Sequence, residues 1–597
     1  MADDGAQRSG AAAGDAADDA GAFAVTLGGW DTANALSFDR LNEAIAAEGT
    51  SPPDFLAEDD WGGGKVEGKW GDWRLVADPA YNGATLKMAC PIASGTWTAS
   101  PTKSADLAGT VVYMTIDLAA LNDPEADVSD PTATGGTPQS LKVRTDGAAE
   151  NPPVSIVAIV PGPSAGPAGP HFEDMDAIFK SWFIANVHDF DQVFHTAVIN
   201  AEAAKGDFQW LKPTTLSYAS VVTTGGTGHF AALCQTDNDP ARDNAQQVDA
   251  TIGRDIPKGA DAVFAISGEK FAQHILRLGA SQVLEGSKVE DFDVVGDQLI
   301  VTNNKPLVWR KCTMEDGTVI EPTVPEGGLR MRVVEDQIEL DFTGVHYSHP
   351  LLKGNSLISI SFKQYVYVVM GRREDGTPVL KTTNRDPKLP KPDWAAIAHD
   401  PAKLNVEIAR QAPVIYEPKI TVTPDAEARN FERVMMYVSI GLAVFAVVTL
   451  GASFAAGKVA SGAAEATEAA IEAGDAAIEV AIDAAELAPE AGEVASSTSE
   501  AATAASNTAS AMPGAKLLTY ITRFAMLAPI ATGAVGIAER WEVADDMELE
   551  DESVPSMTEF LNNVLGAARW PQMDDWELVD VRLAESLLLY GNLKTKA

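Results

Sequence analysis

The sequence predicts an α+β fold, in which a β-rich body with a strongly curved antiparallel sheet carries an inserted, apolar α-helical hairpin. Three observations support this fold class. Residues 22–430 contain many runs of strand-forming residues separated by Gly, Pro and Asn. Within that body, the segment 335–370 holds two unusually long alternating runs. Residues 431–541 hold two apolar runs on either side of an acidic connector.

The two long runs within 335–370 predict a β-hairpin. Their apolar positions alternate as strands do: Ile338, Leu340 and Phe342 in the first run, and Ile358, Ile360 and Phe362 in the second. The alternation then slips by one residue in each run, to Val345 after Gly344 and to Tyr365 after Phe362. Such slips indicate β-bulges, which bend a sheet. Arms of about 13 residues would be roughly 45 Å long, so we expect a sheet curved around another part of the chain.

Two amphipathic helices are predicted within the body. The first follows Ser37, a good N-cap residue, and its apolar face carries Phe38, Leu41 and Ile45. The second lies within Ser267–Ala280 and again begins at a serine; its apolar face carries Phe271, Ile275 and Leu278. By contrast, 121–151 and 160–170 are rich in Pro and Gly, and we expect them to be loops.

Composition narrows the class of protein. The 597 residues are 46% apolar, which is enough for a sizeable core. They include 85 acidic and 44 basic side chains, for a formal charge of −41. A polyanion repels phosphate, which argues against general nucleic-acid binding and against broad adhesion to anionic lipid. A local basic or apolar contact patch remains compatible with this charge.

The chain shows no pattern typical of catalysis or metal binding. Cys90, Cys234 and Cys312 lie far apart, so neither a disulfide framework nor a zinc site is expected. Walker A and HExxH motifs do not occur, and no GxSxG nucleophile elbow is expected, because the GPSAG string at 162–166 belongs to the Pro/Gly-rich loop. His188 and His195 flank two aspartates, but such neighbours are common by chance, and we expect that segment to be a solvated helix or loop. We therefore predict a protein that is not an enzyme and has no cofactor.

The Trp-rich stretch that contains Trp61, Trp70 and Trp73 has two interpretations. Such residues most often cap a β core, where their large rings bury apolar surface. They could instead form a platform for a carbohydrate or a lipid. The sequence does not choose between them.

The N-terminal residues 1–21 are acidic and rich in Ala and Gly, and we predict a disordered tail. This segment lacks the basic and apolar regions of a secretory signal. We therefore expect a cytoplasmic protein, with release from the cell or association with a membrane left open.

Residues 431–541 are predicted to be an inserted helical hairpin. Val434–Gly457 is a run of 24 residues without a charge, long enough to span a bilayer, whereas 517–538 contains Arg523 and Pro529. The hairpin could pack on the body, insert into a membrane as a hairpin, or serve as a constitutive single-pass anchor. Its candidate contact residues are Val434, Leu442, Phe445, Leu450, Phe524 and Leu527. Residues 542–597 would then return to complete the body.

Three segments resemble one family. The opening contains Gly29-Trp30-Asp31 followed by Leu41-Asn42-Glu43-Ala44-Ile45, the middle contains Asp261–Leu276 (DAVFAISGEKFAQHIL), and the end contains Arg569-Trp570-Pro571 and a Leu-rich stretch that finishes at Leu593. In this order they resemble the 47-kilodalton protein of clostridial neurotoxin gene clusters and its OrfX-type relatives. The matches bracket almost the whole chain.

This resemblance implies a TULIP architecture, an elongated tubular lipid-binding fold in which long helices are wrapped by a highly curved antiparallel sheet. It implies a non-enzymatic accessory protein of a toxin cluster that holds acyl chains in an apolar groove. Candidate groove residues are the two alternating sets and the second helix face: Ile338, Leu340, Phe342, Ile358, Ile360, Phe362, Phe271, Ile275 and Leu278. Each of them could instead fill a dry core.

Two other functions stay open from the sequence. The chain could be a scaffold or chaperone-like component that binds a protein partner from a toxin or secretion system. It could also act on membranes through the 434–538 hairpin. The partners expected are thus a lipid or other apolar ligand, a toxin-cluster protein, or a membrane, and not a nucleic acid.

Overall fold

The computed structural model describes residues 24–422 and 568–595, with internal gaps. The gaps are at 60–63, 101, 125, 127–135, 147–151, 166–171, 200–208, 224, 238–243, 254–255, 285, 310–311, 314–318, 349–356, 373–377, 386–388, much of 398–415, and 571–572. The predicted tail at 1–21 and the predicted hairpin at 431–541 lie outside the described residues, and both stay predictions. No helix in the described ranges combines the length and the apolar character needed to cross a membrane.

Strands dominate the described chain. In the N-terminal part they are β1 (Thr32–Ser37), β2 (Asp54–Glu58), β3 (Lys65–Trp70), β4 (Arg74–Leu75), β5 (Thr85–Ser100), β6 (Lys103–Asp106), β7 (Val111–Asn122), β8 (Thr137–Val143), β9 (Val154–Val160), β10 (His195–Ile199), β11 (Pro213–Val222), β12 (Gly228–Thr236) and β13 (Ala262–Ile266). In the C-terminal part they are β14 (Phe292–Val295), β15 (Ile300–Asn303), β16 (Leu307–Val308), β17 (Cys312–Thr313), β18 (Val319–Ile320), β19 (Thr323–Val324), β20 (Leu329–Val334), β21 (Gln337–Tyr347), β22 (Ile358–Arg372), β23 (Pro378–Asn384), β24 (Tyr416–Val422), β25 (Ala568–Arg569), β26 (Met573–Ala584) and β27 (Ser586–Thr595).

The helices are fewer and shorter. They are α1 (Phe38–Glu48), α2 (Phe172–Asn186), α3 (Gly268–Lys270), a π-helical segment (Phe271–Leu276), α4 (Arg277–Val283) and α5 (Trp394–Ile397). Single 3₁₀ turns occupy Pro79–Tyr81, Pro163–Ala165, Val187–Asp189, Gln209–Leu211, Ala250–Gly253 and Val289–Asp291.

The β1 sheet joins the two ends of the described chain. Its strand order is β11-β12-β1-β13-β27-β26, with antiparallel pairing throughout the described strands. β27 pairs with β13 from Ala262 opposite Gly591 to Ile266 opposite Leu587. The C-terminal segment is therefore built into the same sheet as the first strand of the body.

The β5 sheet lies beside the β1 sheet and encloses the largest described core. Its main path is β2-β3-β5-β7-β8-β10-β25, and β4, β6 and β9 pair at its sides. Register shifts interrupt β3–β5, β5–β6 and β7–β9 pairing, and such irregularities increase local twist. The core between this sheet, one face of the β1 sheet and α2 includes Leu36, Leu86, Phe179 and Phe230.

The β21 sheet contains the predicted hairpin. β21 and β22 pair antiparallel, and the register shifts between Phe342 and Val345, at the first predicted slip. Gly344 lies there with a φ of +68°, a left-handed conformation that suits glycine. The hairpin and this bulge are confirmed.

The second predicted slip is confirmed only in part: the pairing of β22 with β24 shifts register between Ser361 and Lys363, whereas its pairing with β21 stays regular beyond Phe362. Ile360, Phe362, Gln364 and Val366 keep one alternating phase and are buried, whereas Tyr365 points to the opposite face. There its hydroxyl donates to Glu339 at 3.0 Å. The prediction counted Tyr365 as an apolar position, although its hydroxyl has a polar partner.

The two predicted helices are confirmed. The side chain of Ser37 accepts the backbone N–H of Arg40 and caps α1, whose Phe38, Leu41 and Ile45 are buried. Ser267 likewise accepts from the N–H of Lys270. The second helix differs from expectation in its middle, where it widens into the π-helical segment.

Two elements were not predicted. α2, which follows the Pro/Gly-rich loop, was not predicted although its sequence carries a helical pattern. Its buried apolar residues recur at helical spacing: Met175, Ile178, Phe179, Trp182 and Phe183. β8 lies inside 121–151, which we expected to be a loop; its Leu141 and Val143 are buried in the core.

Candidate functional site

The three segments that carry the family resemblance meet in the β1 sheet. Asp31 immediately precedes β1, which pairs with β13 of the middle segment, and β13 pairs with β27 of the closing segment. The backbone N–H of Ser267 donates to the carbonyl of Asp31 at 2.9 Å. The motifs are therefore parts of one structural unit that distant pieces of the chain assemble.

The Gly29-Trp30-Asp31 turn is held by hydrogen bonds to a remote segment. The Trp30 indole N–H donates to the carbonyl of Ala245 at 2.9 Å, and the Asn244 side chain donates to the carbonyl of Gly29 at 2.8 Å. One carboxylate oxygen of Asp31 accepts the backbone N–H of Thr236 at 2.7 Å. These contacts give each residue of the motif a defined role in fixing the start of β1.

A buried charge cluster surrounds this turn. Lys270, 1% exposed, places its Nζ 3.9 Å from Asp31 Oδ2 and 3.4 Å from Asp237 Oδ2. Asp237 has a φ of +59°, uncommon for a residue other than glycine. Buried charges persist only when paired, so the two aspartates compensate the buried ammonium group.

The π-helical segment brings His274 to the edge of this cluster. His274 Nε2 lies 3.1 Å from Asp237 Oδ2, and its ring stacks on Trp210 at 4.6 Å, with an interplanar angle of 1°. Burial lowers the pKa of His274, and the charge of Asp237 partly offsets this. The cluster therefore links β12, the second helix and the turn before β11.

A second buried polar group ties β1 to β10 and to the closing segment. Asn34 Nδ2 lies 3.3 Å from His195 Nε2, and the Trp570 indole N–H donates to Asn34 Oδ1 at 3.2 Å. The His195 and Trp570 rings meet edge to face at 4.7 Å. Trp570 thus anchors the returning chain against the core.

The expected solvated histidine segment is only half correct. His188 and Asp189 are exposed and lie 3.2 Å apart, but His195 is completely buried on β10. Burial lowers the pKa of His195 to about 3, so this imidazole is neutral at physiological pH. Among the described residues, no group of three or more His, Cys, Asp or Glu side chains could hold a metal ion.

The apolar interior around α2 is lined with aromatic rings. Trp70 has its ring centroid 4.5 Å from Phe55, 5.3 Å from Trp182 and 5.5 Å from Phe183. Trp73 lies 5.4 Å from Phe183 and continues the cluster. Trp70 and Trp73 therefore cap the core, as one interpretation of the Trp-rich stretch predicted; Trp61 lies outside the described residues.

Several buried indole nitrogens of the described residues lack a hydrogen-bond partner, and two of them lie in this interior. Among the described residues, the buried Nε1 atoms of Trp70 and Trp73 have no hydrogen-bond partner. Most buried polar groups have a hydrogen-bond partner, because a buried donor without an acceptor has lost its hydrogen bonds to water and gained none in exchange. The interior around α2 is apolar yet contains two unmet donors.

The predicted groove residues lie largely in packed surroundings. Ile338, Leu340, Phe342, Ile360 and Phe362 are buried on one face of the β21–β22 hairpin. Phe342 stacks on Phe362 at 4.9 Å, and Trp309 covers both rings at 4.4 and 6.0 Å. This part of the hairpin face is thus closed by Trp309.

Phe271 is buried and Ile275 is half-buried on the π-helical segment, which contacts β15 and β20. Ile358 and Leu278 lie on β22 and α4, but their side chains are outside what the structure describes. All six candidate residues of the inserted hairpin lie outside the described residues.

Curled antiparallel sheets packed on a few helices define the class of fold. The structure matches the crystal structure of P47 of Clostridium botulinum E1 with a TM-score of 0.51, over 95% of this chain and 100% of that chain. The sequence identity is 12%, so this match shows the fold alone. It is the TULIP-like architecture that the family resemblance implied.

The sequence comparisons identify the family. Residues 26–303 match the family model described as OrfX-like, Protein OrfX2/OrfX3/P47. Protein OrfX3 of Paraclostridium bifermentans is 23% identical over 284 residues, and Protein OrfX3 of Clostridium botulinum (strain Kyoto / Type A2) is 24% identical over 291 residues. Each match covers 45% of this chain and 56% of the relative's length. These matches confirm the predicted resemblance to the OrfX/P47 family, and the family model carries it over residues 26–303.

Proposed function

We propose that this chain is a non-enzymatic accessory protein of a toxin cluster that binds an acyl-bearing ligand between α2 and the β5 sheet. The observation that carries the proposal is the pair of unmet indole donors, Trp70 and Trp73, inside the aromatic interior. An acyl chain there would be removed from water at about 25 cal/mol per Å² of apolar surface. Its carboxylate or ester oxygens would accept the two N–H groups.

The geometry of α2 suits such a role. Its buried stripe of Met175, Ile178, Phe179, Trp182 and Phe183 faces the sheet, while Lys180 and Ser181 face solvent. The contacts are between large rings, many of them tilted or edge-on, so the helix is held mainly by apolar contacts. A chain-like apolar ligand can replace such contacts without breaking sheet hydrogen bonds.

Native mass spectrometry of protein purified without detergent, followed by lipid extraction, tests the proposal. We expect a bound fatty acid or acyl lipid, and uptake of a fluorescent fatty acid by delipidated protein. Trp70→Phe and Trp73→Phe should each weaken that uptake by about three- to tenfold, since each removes one donor to a polar ligand atom. Trp97→Phe is the matched control, because Trp97 also has a buried, unpartnered indole N–H but lies on β5 against Lys103.

A protein with neither bound nor acquired acyl ligand would refute acyl binding. Equal uptake by the wild type and both Phe variants would place any bound lipid elsewhere.

A second function, the binding of a protein partner, is favoured by a different observation. Leu56 on the edge strand β2 is 60% exposed, and Ile184 on the neighbouring α2 is 47% exposed. Leu56 points away from α2, because its neighbour Phe55 contacts Phe179 and Trp182, so the two exposed residues are separate candidate contact positions. In co-purification with toxin-cluster proteins, Leu56→Asp and Ile184→Asp should abolish recovery of a partner, whereas Val295→Asp, at a separate exposed position, should not. Unchanged recovery in both variants would exclude both positions as partner contacts.

A further inference from the structure

The closing segment enters the fold through a short contact with β10. β25 consists of Ala568 and Arg569, which pair with Ala197 and Thr196. Two residue pairs are too few to hold a strand in water without side-chain packing. That packing comes from Trp570, which follows β25, belongs to the largest described core and is 4% exposed. The entry of the closing segment, formed by β25 and Trp570, therefore depends on how this indole is held.

Two successive hydrogen bonds hold Trp570 in the core. Its indole N–H donates to Asn34 Oδ1 at 3.2 Å, and Asn34 Nδ2 lies 3.3 Å from His195 Nε2. Asn34 is 4% exposed and His195 is completely buried, so all three polar groups are removed from water. Asn34 lies on β1 and His195 on β10. The entry is thus linked through these groups to the central strand of one sheet and to its own partner strand.

The chemistry of the three groups fixes the direction of both hydrogen bonds. An indole N–H only donates, so the amide oxygen of Asn34 faces Trp570 and the amide NH₂ group faces His195. An amide NH₂ group also only donates, so His195 Nε2 accepts and the imidazole carries its proton on Nδ1. Among the described residues, His195 Nδ1 has no hydrogen-bond partner. This arrangement accommodates the neutral imidazole.

A protonated His195 does not fit the same arrangement. An imidazolium carries an N–H on each nitrogen, and the new Nε2–H would point at the NH₂ group of Asn34. Turning the Asn34 amide over would offer its oxygen to His195, but would set its NH₂ group against the N–H of Trp570. Either way a buried donor is left without an acceptor, which is costly in a core of low dielectric constant. A proton on His195 and the hydrogen bond of Trp570 therefore oppose each other.

Among the described residues, no carboxylate acts on His195 to offset this conflict, and burial alone lowers its pKa. β1 carries no charged residue. On β8, Lys142 forms ion pairs with two aspartates. Arg569 of β25 lies opposite Thr196, one position along β10 from His195. The charge of this buried group thus changes only when His195 takes up a proton.

The titratable groups of β12 do not take part. Burial raises the pKa of the Cys234 thiol to about 12, so Cys234 stays neutral in acid. His229 precedes Phe230, whose ring contacts Trp570, so the side chain of His229 points to the opposite face of the sheet. There it lies against Gly253.

We propose that His195, Asn34 and Trp570 form an acid-sensitive latch, in which protonation of His195 releases Trp570 and the entry of the closing segment from β10. In the released form the imidazole is in water and titrates as an ordinary histidine, near pH 6.5. The population of the released form should therefore rise about tenfold for each pH unit below about 6.5. β27 keeps its pairing with β13 and β26, so the release concerns the entry and not the whole segment. The latch does not depend on acyl binding.

Hydrogen–deuterium exchange of the full chain at pH 7 and pH 5, read by mass spectrometry, tests the latch. Exchange rates are corrected with an unstructured peptide for the direct effect of pH. We expect the protection of a peptide covering 568–576 to fall by about 25-fold, as proton uptake by a histidine of pKa near 6.5 requires. A peptide covering α1 should lose much less. No loss at the entry, or an equal loss in both peptides, would overturn the proposal, since an equal loss reports unfolding of the whole chain.

His195→Gln keeps a hydrogen-bonding group beside Asn34 but does not titrate. The acid loss of protection at the entry should then shrink to less than about threefold. His188→Gln is the matched control, because His188 is exposed in the turn before β10, and it should keep the pH dependence of the wild type. Circular dichroism checks that each variant is folded. The full acid loss in folded His195→Gln would overturn the latch.

Trp570→Phe tests the link between the two hydrogen bonds and decides the question even where His195→Gln does not fold. Phenylalanine keeps an aromatic ring but has no N–H, so Asn34 can turn its oxygen toward the imidazolium without opposing a donor. The entry should be less protected than in the wild type at pH 7, and it should lose less protection between pH 7 and pH 5. An acid loss as large as in the wild type would show that Asn34 does not connect His195 to Trp570.

Discussion

Lys270 Nζ lies 3.9 Å from Asp31 Oδ2, although the two residues are 239 positions apart and each is only 1% exposed. The pairing of β1 with β13 brings them together, since Asp31 precedes the first strand and Lys270 follows the second. Because Asp237 also lies within 3.4 Å of Lys270, the ammonium group has two carboxylate partners. This cluster connects two of the three segments by which the family can be recognised.

Lys270→Met should destabilise the protein by about 3–5 kcal/mol. The reason is that Asp31 would keep a buried charge with its cationic partner removed. Urea unfolding at neutral pH measures the change. Lys258→Met, at an exposed position shortly before β13, should stay within about 0.5 kcal/mol of the wild type.

The double variant Asp31→Asn, Lys270→Met separates pairing from packing. It should be more stable than the sum of the two single changes predicts, by at least about 1 kcal/mol, because the remaining charge is removed as well. Strict additivity would show that the two groups do not interact.

Acid should weaken the contact between β1 and β10 through His195. The folded-state pKa of His195 is lowered to about 3, whereas an unfolded histidine titrates near 6.5, so only the unfolded chain takes up this proton between those values. Stability is therefore unaffected above about pH 6.5 and falls as pH decreases below it. At pH 5 the loss from this group is about 2 kcal/mol.

Urea midpoints of the wild type and His195→Gln at pH 7 and pH 5 measure this effect. Glutamine keeps polar contact with Asn34 but does not titrate, so the variant should lose about 2 kcal/mol less on acidification. Burial also lowers the pKa of His229. This residue is present in both proteins, so its contribution to the pH dependence cancels in the comparison. An equal loss in both proteins would show that His195 already binds a proton in the folded state.

Local signals in the sequence predicted local structure well. Ser37 with Phe38, Leu41 and Ile45 predicted α1, because an N-cap and a period of 3.6 residues require only neighbouring residues. The bulge at Gly344 was predicted for a similar reason, as a one-residue slip is visible in the strand itself. α2 carried an equally regular stripe, and counting helical spacing after the Pro/Gly-rich loop would have found it.

Tertiary partnerships were beyond such signals. Nothing near Lys270 in the sequence indicates Asp31, and nothing near Trp570 indicates Asn34, because strand pairing over hundreds of residues creates both contacts. The groove residues were predicted as an apolar face, yet periodicity does not show what covers a face. Trp309, which covers Phe342 and Phe362, comes from a segment with no clear alternation.

Ser37→Ala should destabilise the protein by about 1 kcal/mol through loss of the α1 cap. The hydroxyl accepts the N–H of Arg40 at 3.4 Å, and alanine leaves that donor without a side-chain acceptor. Thermal unfolding measures the shift, with Ser104→Ala on an exposed part of β6 as the control. A change no larger than the control would mean that solvent replaces the cap.

Gly344→Ala should destabilise the β21–β22 hairpin by about 1–2 kcal/mol. Space does not limit the substitution, because an added Cβ would have Pro325 Cγ at 3.6 Å as its nearest contact. The penalty comes from the backbone, since alanine at a φ of +68° pays the left-handed strain that glycine avoids. Gly344→Asn should cost less, as asparagine tolerates this conformation better. Urea unfolding of the three proteins should therefore rank glycine above asparagine and asparagine above alanine; equal stability of all three would mean that the strand can shift its register and lose the bulge.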